Sequence, residues 1–118
     1  TYTERPAETK TLYLEPGVWE DDGAVVYQAY LFNGSGHQWY KFENVKKGLY
    51  KVSFPAQWET IIACRMNPAG PENTWDSKWN QTDNISLASF GDNNCISITG
   101  WGGLGQPSPY NLKKVTVE

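Results

Sequence analysis

The chain has 118 residues, enough for one domain with a real core and no room for a second. Ten basic against 13 acidic residues give a net charge of −3, which argues against nucleic acid as the main partner, because phosphate binding needs a concentrated basic surface. A mean hydropathy of −0.60 suits a soluble chain, no apolar run approaches the ~20 residues of a membrane span, and the opening TYTERPAETK has no basic-then-apolar signal pattern.

Residues 1–10 are polar and aperiodic and read as a linker. Thr11 to Leu14 predicts a short strand ended by Pro16-Gly17, followed by Val18-Trp19 and an acidic turn, Glu20-Asp21-Asp22-Gly23. A solvated turn is the reading for those carboxylates. Val25 to Phe42 then predicts two strands joined by Asn33-Gly34-Ser35-Gly36, residues that tolerate the positive φ of a tight hairpin. With those four as the loop, Phe32 faces His37, Tyr30 faces Trp39, Gln28 faces Lys41, Ala29 faces Tyr40 and Tyr27 faces Phe42. Strand alternation sorts the hairpin into a core face (Val25, Tyr27, Ala29, Leu31, Tyr40, Phe42) and an open face (Gln28, Tyr30, Trp39, Lys41). Directly opposed side chains lie roughly 4.5–5.5 Å apart at Cβ, so Tyr30 and Trp39 are expected to form one flat aromatic platform.

Val45 to Gly48 reads as a second turn. Leu49 to Phe54 predicts a strand with Tyr50, Val52 and Phe54 inward and Lys51 and Ser53 outward, stopped by Pro55. Residues 60–66 form the next strand, with Ile62, Cys64 and Met66 on one face and Ile61, Ala63 and Arg65 on the other. A loop of some eighteen residues follows, Asn67 to Asn84, rich in Asn, Pro and Trp; long loops of this kind are usually functional. Ile85 to Phe90 is a weak strand, Gly91 to Asn94 a turn, and Cys95 to Trp101 a strand. Gly102 to Pro109 is turn-rich, and Leu112-Val115-Val117 suggests a last strand or an exit linker. Seven or eight short strands with no sustained 3.6 period predict an all-β, antiparallel β-sandwich of one domain.

Alternation puts Cys64 and Cys95 on opposite faces, with Cys95 turned outward by Ile96 and Ile98. A disulfide needs converging Cβ vectors, so two free thiols are expected. Two cysteines cannot make a zinc site by themselves, and the single histidine is read as a loop residue; no metal or cofactor is expected. Catalytic motifs are missing: there is no Gly-x-Ser-x-Gly, no His-Glu-x-x-His and no Gly-rich phosphate loop. Nothing pairs any two of Glu20, Asp21, Asp22, Glu43, Glu72 and Asp76 across a cleft, as a glycosidase requires. The reading is noncatalytic.

Aromatics carry the functional signal. Six Trp and seven Tyr against four Phe favour rings with a polar handle, suited to surfaces that are apolar on one side and wet on the other. Two places concentrate them: the Tyr30/Trp39 platform, flanked by Gln28 and Lys41, and Asn73-Thr74-Trp75-Asp76-Ser77-Lys78-Trp79-Asn80-Gln81-Thr82. A pyranose stacks its C–H face on such rings and offers hydroxyls to Lys, Asn and Gln. The candidate ligand-binding residues are therefore Tyr30, Trp39, Trp75 and Trp79 for stacking, with Gln28, Lys41, Lys78, Asn80 and Gln81 for hydroxyls. At ~1–3 kcal/mol per stack, by analogy with bases on aromatic rings, two or three stacks support micromolar-to-millimolar affinity. An adhesion or scaffold sandwich that holds a protein partner through the same aromatics is the alternative, since Tyr and Trp also dominate protein hot spots. A protein interface asks for a contiguous apolar patch, whereas these rings are interleaved with Lys and amides.

TLYLEPGVW at Thr11 to Trp19, the hairpin YLFNGSGHQW, and CRMNP with NTWDSKWNQT between Cys64 and Thr82 resemble bacterial starch-binding modules of carbohydrate-binding module families 25 and 26. The resemblance runs from Thr11 to Trp101. It implies an immunoglobulin-like sandwich spanning residues 11–104, with 105–118 as a terminal strand or exit linker. It also implies a shallow surface site for α-1,4-glucans (amylose, amylopectin, maltooligosaccharides) that targets a parent enzyme or scaffold to starch. The family's hairpin Trp corresponds to Trp39, the aromatic before the turn to Tyr30, and the later Trp to Trp75. The Arg65-Met66-Asn67-Pro68 extension and a second tryptophan, Trp79, depart from the pattern, so either Trp75 or Trp79 could face the ligand. The implied setting is extracellular or at the cell surface, as an amylase-associated part of a larger multidomain protein, the isolated module being monomeric.

Overall fold

A computed structural model describes residues 9–20, 26–102 and 106–116. Of the expected linker over residues 1–10, Thr9 and Lys10 instead begin the first strand; residues 1–8, the acidic turn beyond Glu20, the inward Val25 and the terminal Val117 lie outside the described residues. Among the described residues, ten strands form two sheets: β1 Thr9–Glu15, β2 Val26–Asn33, β3 Gly36–Lys41, β4 Glu43–Lys46, β5 Leu49–Pro55, β6 Thr60–Met66, β7 Lys78–Gln81, β8 Ile85–Ser86, β9 Cys95–Ile98 and β10 Tyr110–Lys113. One sheet has the order β10-β9-β1-β5-β4. The other has the order β3-β2-β6-β7, with β8 also paired to β6. Every pairing is antiparallel except β1 with β9, which run parallel.

The hairpin register is the one that alternation predicts, from Gln28 opposite Lys41 to Phe32 opposite His37. Its turn is tighter than expected: Asn33 pairs with Gly36, leaving Gly34-Ser35 as a two-residue loop. Neither Gly34 nor Gly36 takes a positive φ. Instead the Asn33 side chain closes the turn, its Oδ1 accepting the backbone N–H of Ser35 at 2.8 Å and of Gly36 at 3.0 Å.

Between the sheets lie Leu12, Leu14, Trp19, Tyr27, Ala29, Leu31, Val52, Phe54, Ile61 and Ile96, all buried. Burial of apolar area here is the main stabilising term. A second, smaller cluster forms on the other side of β6, where Ile62, Cys64 and Met66 are buried under Val26, Tyr30, Phe32 and Trp39. β6 is thus buried on both faces, and three of the four residues covering its outer face are aromatic.

Several local expectations give way to tertiary packing. Val45 is not in a turn: β4 continues from β3 after a break at the buried Phe42, where the chain crosses from one sheet to the other. The long loop is not structureless, since it contains a 3-10 turn at Trp75–Ser77 and the edge strand β7. Ile85 to Phe90 is a strand only over Ile85–Ser86; Leu87–Phe90 is a 3-10 turn whose three-residue repeat brings both Leu87 and Phe90 into the core. Likewise Val18-Trp19 falls in a 3-10 turn, Gly17–Glu20, which buries Trp19. β9 ends at Ile98, short of Trp101. Both cysteines are free, and Cys95 is buried rather than outward, because Tyr13 of β1 and Lys113 of β10 flank it on the same face.

Candidate functional site

The outer face of β3-β2-β6-β7 gathers an aromatic cluster apart from the core: Tyr30, Phe32, Trp39 and Trp75. Tyr30 and Trp39, opposed across β2 and β3, have ring centroids 5.0 Å apart with planes at 65°. The flat shared platform expected from the register is therefore a corner: edge-to-face packing suits the ring quadrupoles better than coplanarity. Trp75 closes the corner, 4.7 Å from each ring and tilted 57° to Tyr30 and 62° to Trp39. The three rings form one cluster, with Trp75 40% exposed at its crest.

His37, read from sequence as a loop residue, is the second residue of β3. Its imidazole stacks on Tyr30 at 5.4 Å and 25°, and Phe32 lies 5.7 Å from the same ring. With Asn33, Gly36 and Ile62 they line an open depression of about 370 Å³ beside the cluster. The signal for His37 and Phe32 was present: the same alternation that paired Tyr30 with Trp39 continues two residues further to the turn.

Trp75 reaches this face because the preceding segment is tied down at several points. Asn67 starts a turn, its Oδ1 accepting from Ala69 N and its carbonyl from Gly70 N. Gly70 must be glycine, since a Cβ there would lie 2.4 Å from Ser77 Oγ, which donates to the Pro71 carbonyl at 2.7 Å. Asn73 takes a left-handed φ of 64°, and Thr74 Oγ1 then caps the short 3-10 turn by accepting from Asp76 N. Across the gap, Lys41 of β3 pairs with Glu72 at 3.0 Å, both well exposed.

Gln28 requires a correction. Register favours it as a hydroxyl contact, but its side chain is only 1% exposed and committed to the loop. Nε2 donates to Asn73 Oδ1 at 2.7 Å, and Oε1 accepts from Asn73 N at 3.0 Å. Burial of an amide demands such partners, and Gln28 finds both on one residue. It fixes the loop instead of facing solvent.

A β-bulge sends Trp75 and Trp79 to different sides of the sheet. Met66 pairs with Lys78 and Arg65 with Asn80, so an extra residue, Trp79, enters β7 between them. Lys78 stays on the outer face, its ammonium 5.6 Å from the Trp75 ring and hydrogen-bonded to Gln81 Oε1. Trp79 and Asn80 turn to the other side, against Arg65. The structure thus brings together Tyr30, Trp39, Trp75, Lys41, Lys78 and Gln81, and leaves Trp79 and Asn80 out.

Cys64 sits beneath the cluster, where burial pushes its thiol from 9.0 to about 12. Among the described residues, no group of three or more His, Cys, Asp and Glu could hold a metal ion. Chemically the surface offers ring faces, two ammonium groups and amides. Comparison with protein families, with curated proteins and with solved structures finds no match for this chain.

Proposed function

We propose that the chain is a noncatalytic binding module that takes a starch-type α-1,4-glucan on the outer face of β3-β2-β6-β7. The carrying observation is the Tyr30-Trp39-Trp75 cluster, exposed at its crest and bordered by Lys78, Gln81 and Lys41. Rings tilted by about 60° to one another suit successive glucose units of a helically twisted chain, whereas a flat cellulose-like ribbon asks for coplanar rings. His37 and the neighbouring depression extend the surface beyond Tyr30. The pre-set loop supports affinity, since a ligand has little left to order on binding. Such a module would hold a parent enzyme or scaffold on starch, with avidity from repeated copies.

Isothermal titration with maltoheptaose, with cellohexaose as the matched control, tests this reading. Heat with the α-linked chain alone is expected. Heat with only the β-linked chain overturns the choice of glucan, and heat with neither returns the aromatics to the protein-binding alternative.

A further inference from the structure

A second pair of exposed tryptophans stands on the opposite side of β6 and β7. Trp79 is 45% exposed and Trp101 39%, and the guanidinium carbon of Arg65 lies 4.9 Å from one ring centroid and 5.0 Å from the other. We infer that Trp79, Trp101 and Arg65 form a second glucan-binding surface, so that one module holds two chain segments at once. This rests on the glucan reading of the first site.

The arrangement is built, and its parts come from distant stretches. Arg65 shares the inward face of β6 with Ile61 and Ala63 and is mostly buried, so its charge must be met. Its Nε donates to the Trp19 carbonyl at 2.8 Å and its Nη1 to Asn80 Oδ1 at 3.3 Å. That fixes the guanidinium, and the guanidinium fixes both indoles by cation–π contact. The bulge in β7 directs Trp79 here. Trp101 is held through its backbone: buried Ser108 donates Oγ–H to the Trp101 carbonyl at 2.9 Å and accepts from Trp19 Nε1 at 3.1 Å. Ser108 N also donates to the Gln81 carbonyl, tying the two tryptophan-bearing segments to each other. Gly102, at φ 82°, closes the bend after Trp101, where a Cβ would meet the Pro107 carbonyl at 2.5 Å.

Core packing explains none of this exposure. Two large rings held side by side and exposed to water make the kind of apolar patch that marks an interaction site. Trp and Arg are also enriched at protein interfaces, but there within a broad contiguous apolar patch, whereas here two rings alone adjoin a guanidinium and the Asn80 amide. Ring faces with interleaved donors match sugar, as at the first site. Lys78 and Trp79, adjacent in sequence, point to opposite sides, so the two surfaces look in different directions and can hold separate glucan segments.

The test follows the six indole N–H resonances of the intact chain, assigned through single Trp→Phe variants, during titration with maltoheptaose. Trp79 and Trp101 are expected to shift together with Trp39 and Trp75, and to keep shifting in a Trp39→Ala variant that has lost the first site. Trp79→Ala/Trp101→Ala, both exposed positions that leave the core intact, is expected to weaken adsorption to granular starch by roughly tenfold or more through lost avidity. Maltoheptaose affinity at the Trp39 face should stay within about twofold, the sites being independent. Shifts confined to Trp39 and Trp75, with adsorption unchanged in the double variant, overturn the second surface and leave the first. Silence at all six indoles removes both.

Discussion

Gln28 and Asn73, 45 residues apart, close a ring of two hydrogen bonds, one from Gln28 Nε2 to Asn73 Oδ1 and one from Asn73 N back to Gln28 Oε1. The pair joins the central strand of the sheet to the loop that delivers Trp75, two residues beyond Asn73. Gln28→Met keeps the volume and removes the amide, leaving two groups of Asn73 unpaired. A stability loss of about 1–3 kcal/mol is expected by urea denaturation. Maltoheptaose affinity should fall with it, because Trp75 loses its anchor. Asn73→Gly, which suits the left-handed φ and keeps the backbone bond, should cost less.

The three clustered rings should not contribute alike to stability. Trp39→Ala strips cover from Ile62, Cys64 and Met66 and is expected to lower both affinity and stability. Trp75 is exposed at the crest, so Trp75→Ala should weaken maltoheptaose binding by about 10- to 100-fold, as loss of one stack implies, with a much smaller change in urea midpoint. Equal stability losses in the two variants would refute this layering.

Lys41 and Glu72 form an exposed ion pair, a class worth about 0–1 kcal/mol. Glu72→Gln should therefore leave the urea midpoint nearly unchanged. Because the proposed ligand is uncharged, maltoheptaose affinity should also vary little with salt. A steep salt dependence, read by titration across a sodium chloride series, points to a charged ligand instead.

The two thiols should be silent in the native state. Burial raises Cys64 from 9.0 to about 12; burial and then the Glu15 carboxylate raise Cys95 from 9.0 to about 11. Burial and a hydrogen bond to Glu20 likewise raise Tyr50 from 10.0 to about 12. In each case the folded state holds the proton more tightly than the unfolded chain. The resulting stability is intact below pH 9.0 and is lost as pH climbs toward the folded values. Urea midpoints should fall between about pH 9 and 11, less steeply in Cys64→Ala. At pH 8, a thiol-reactive dye should label both cysteines only as fast as the protein opens.

The hairpin was legible from sequence because its determinants are local: alternation of period two and a short turn fix which residues face each other and which face the core. The same rule put Ile61 and Ala63 on one face and Ile62 and Met66 on the other, and the structure shows that the first face is the inward one. Local pattern fails where a residue's environment is supplied from elsewhere in the chain. Nothing within reach of Gln28 in sequence announces that Asn73 will cover it, so an open-face amide became a buried clamp. Cys95 sits on the expected face of β9, but it is buried because β1 and β10 pack on either side. The division between Trp75 and Trp79 depends on one bulged residue in an edge strand with no hydrophobic alternation of its own, and on a charge, Arg65, that the inward face of β6 must satisfy. The sequence by itself determined the sandwich, the hairpin register and an excess of Trp and Tyr over Phe, since these follow from periodicity and composition. Which rings meet, at what angle and on which side was decided only by the tertiary structure, because it depends on how distant segments satisfy one another's buried polar groups.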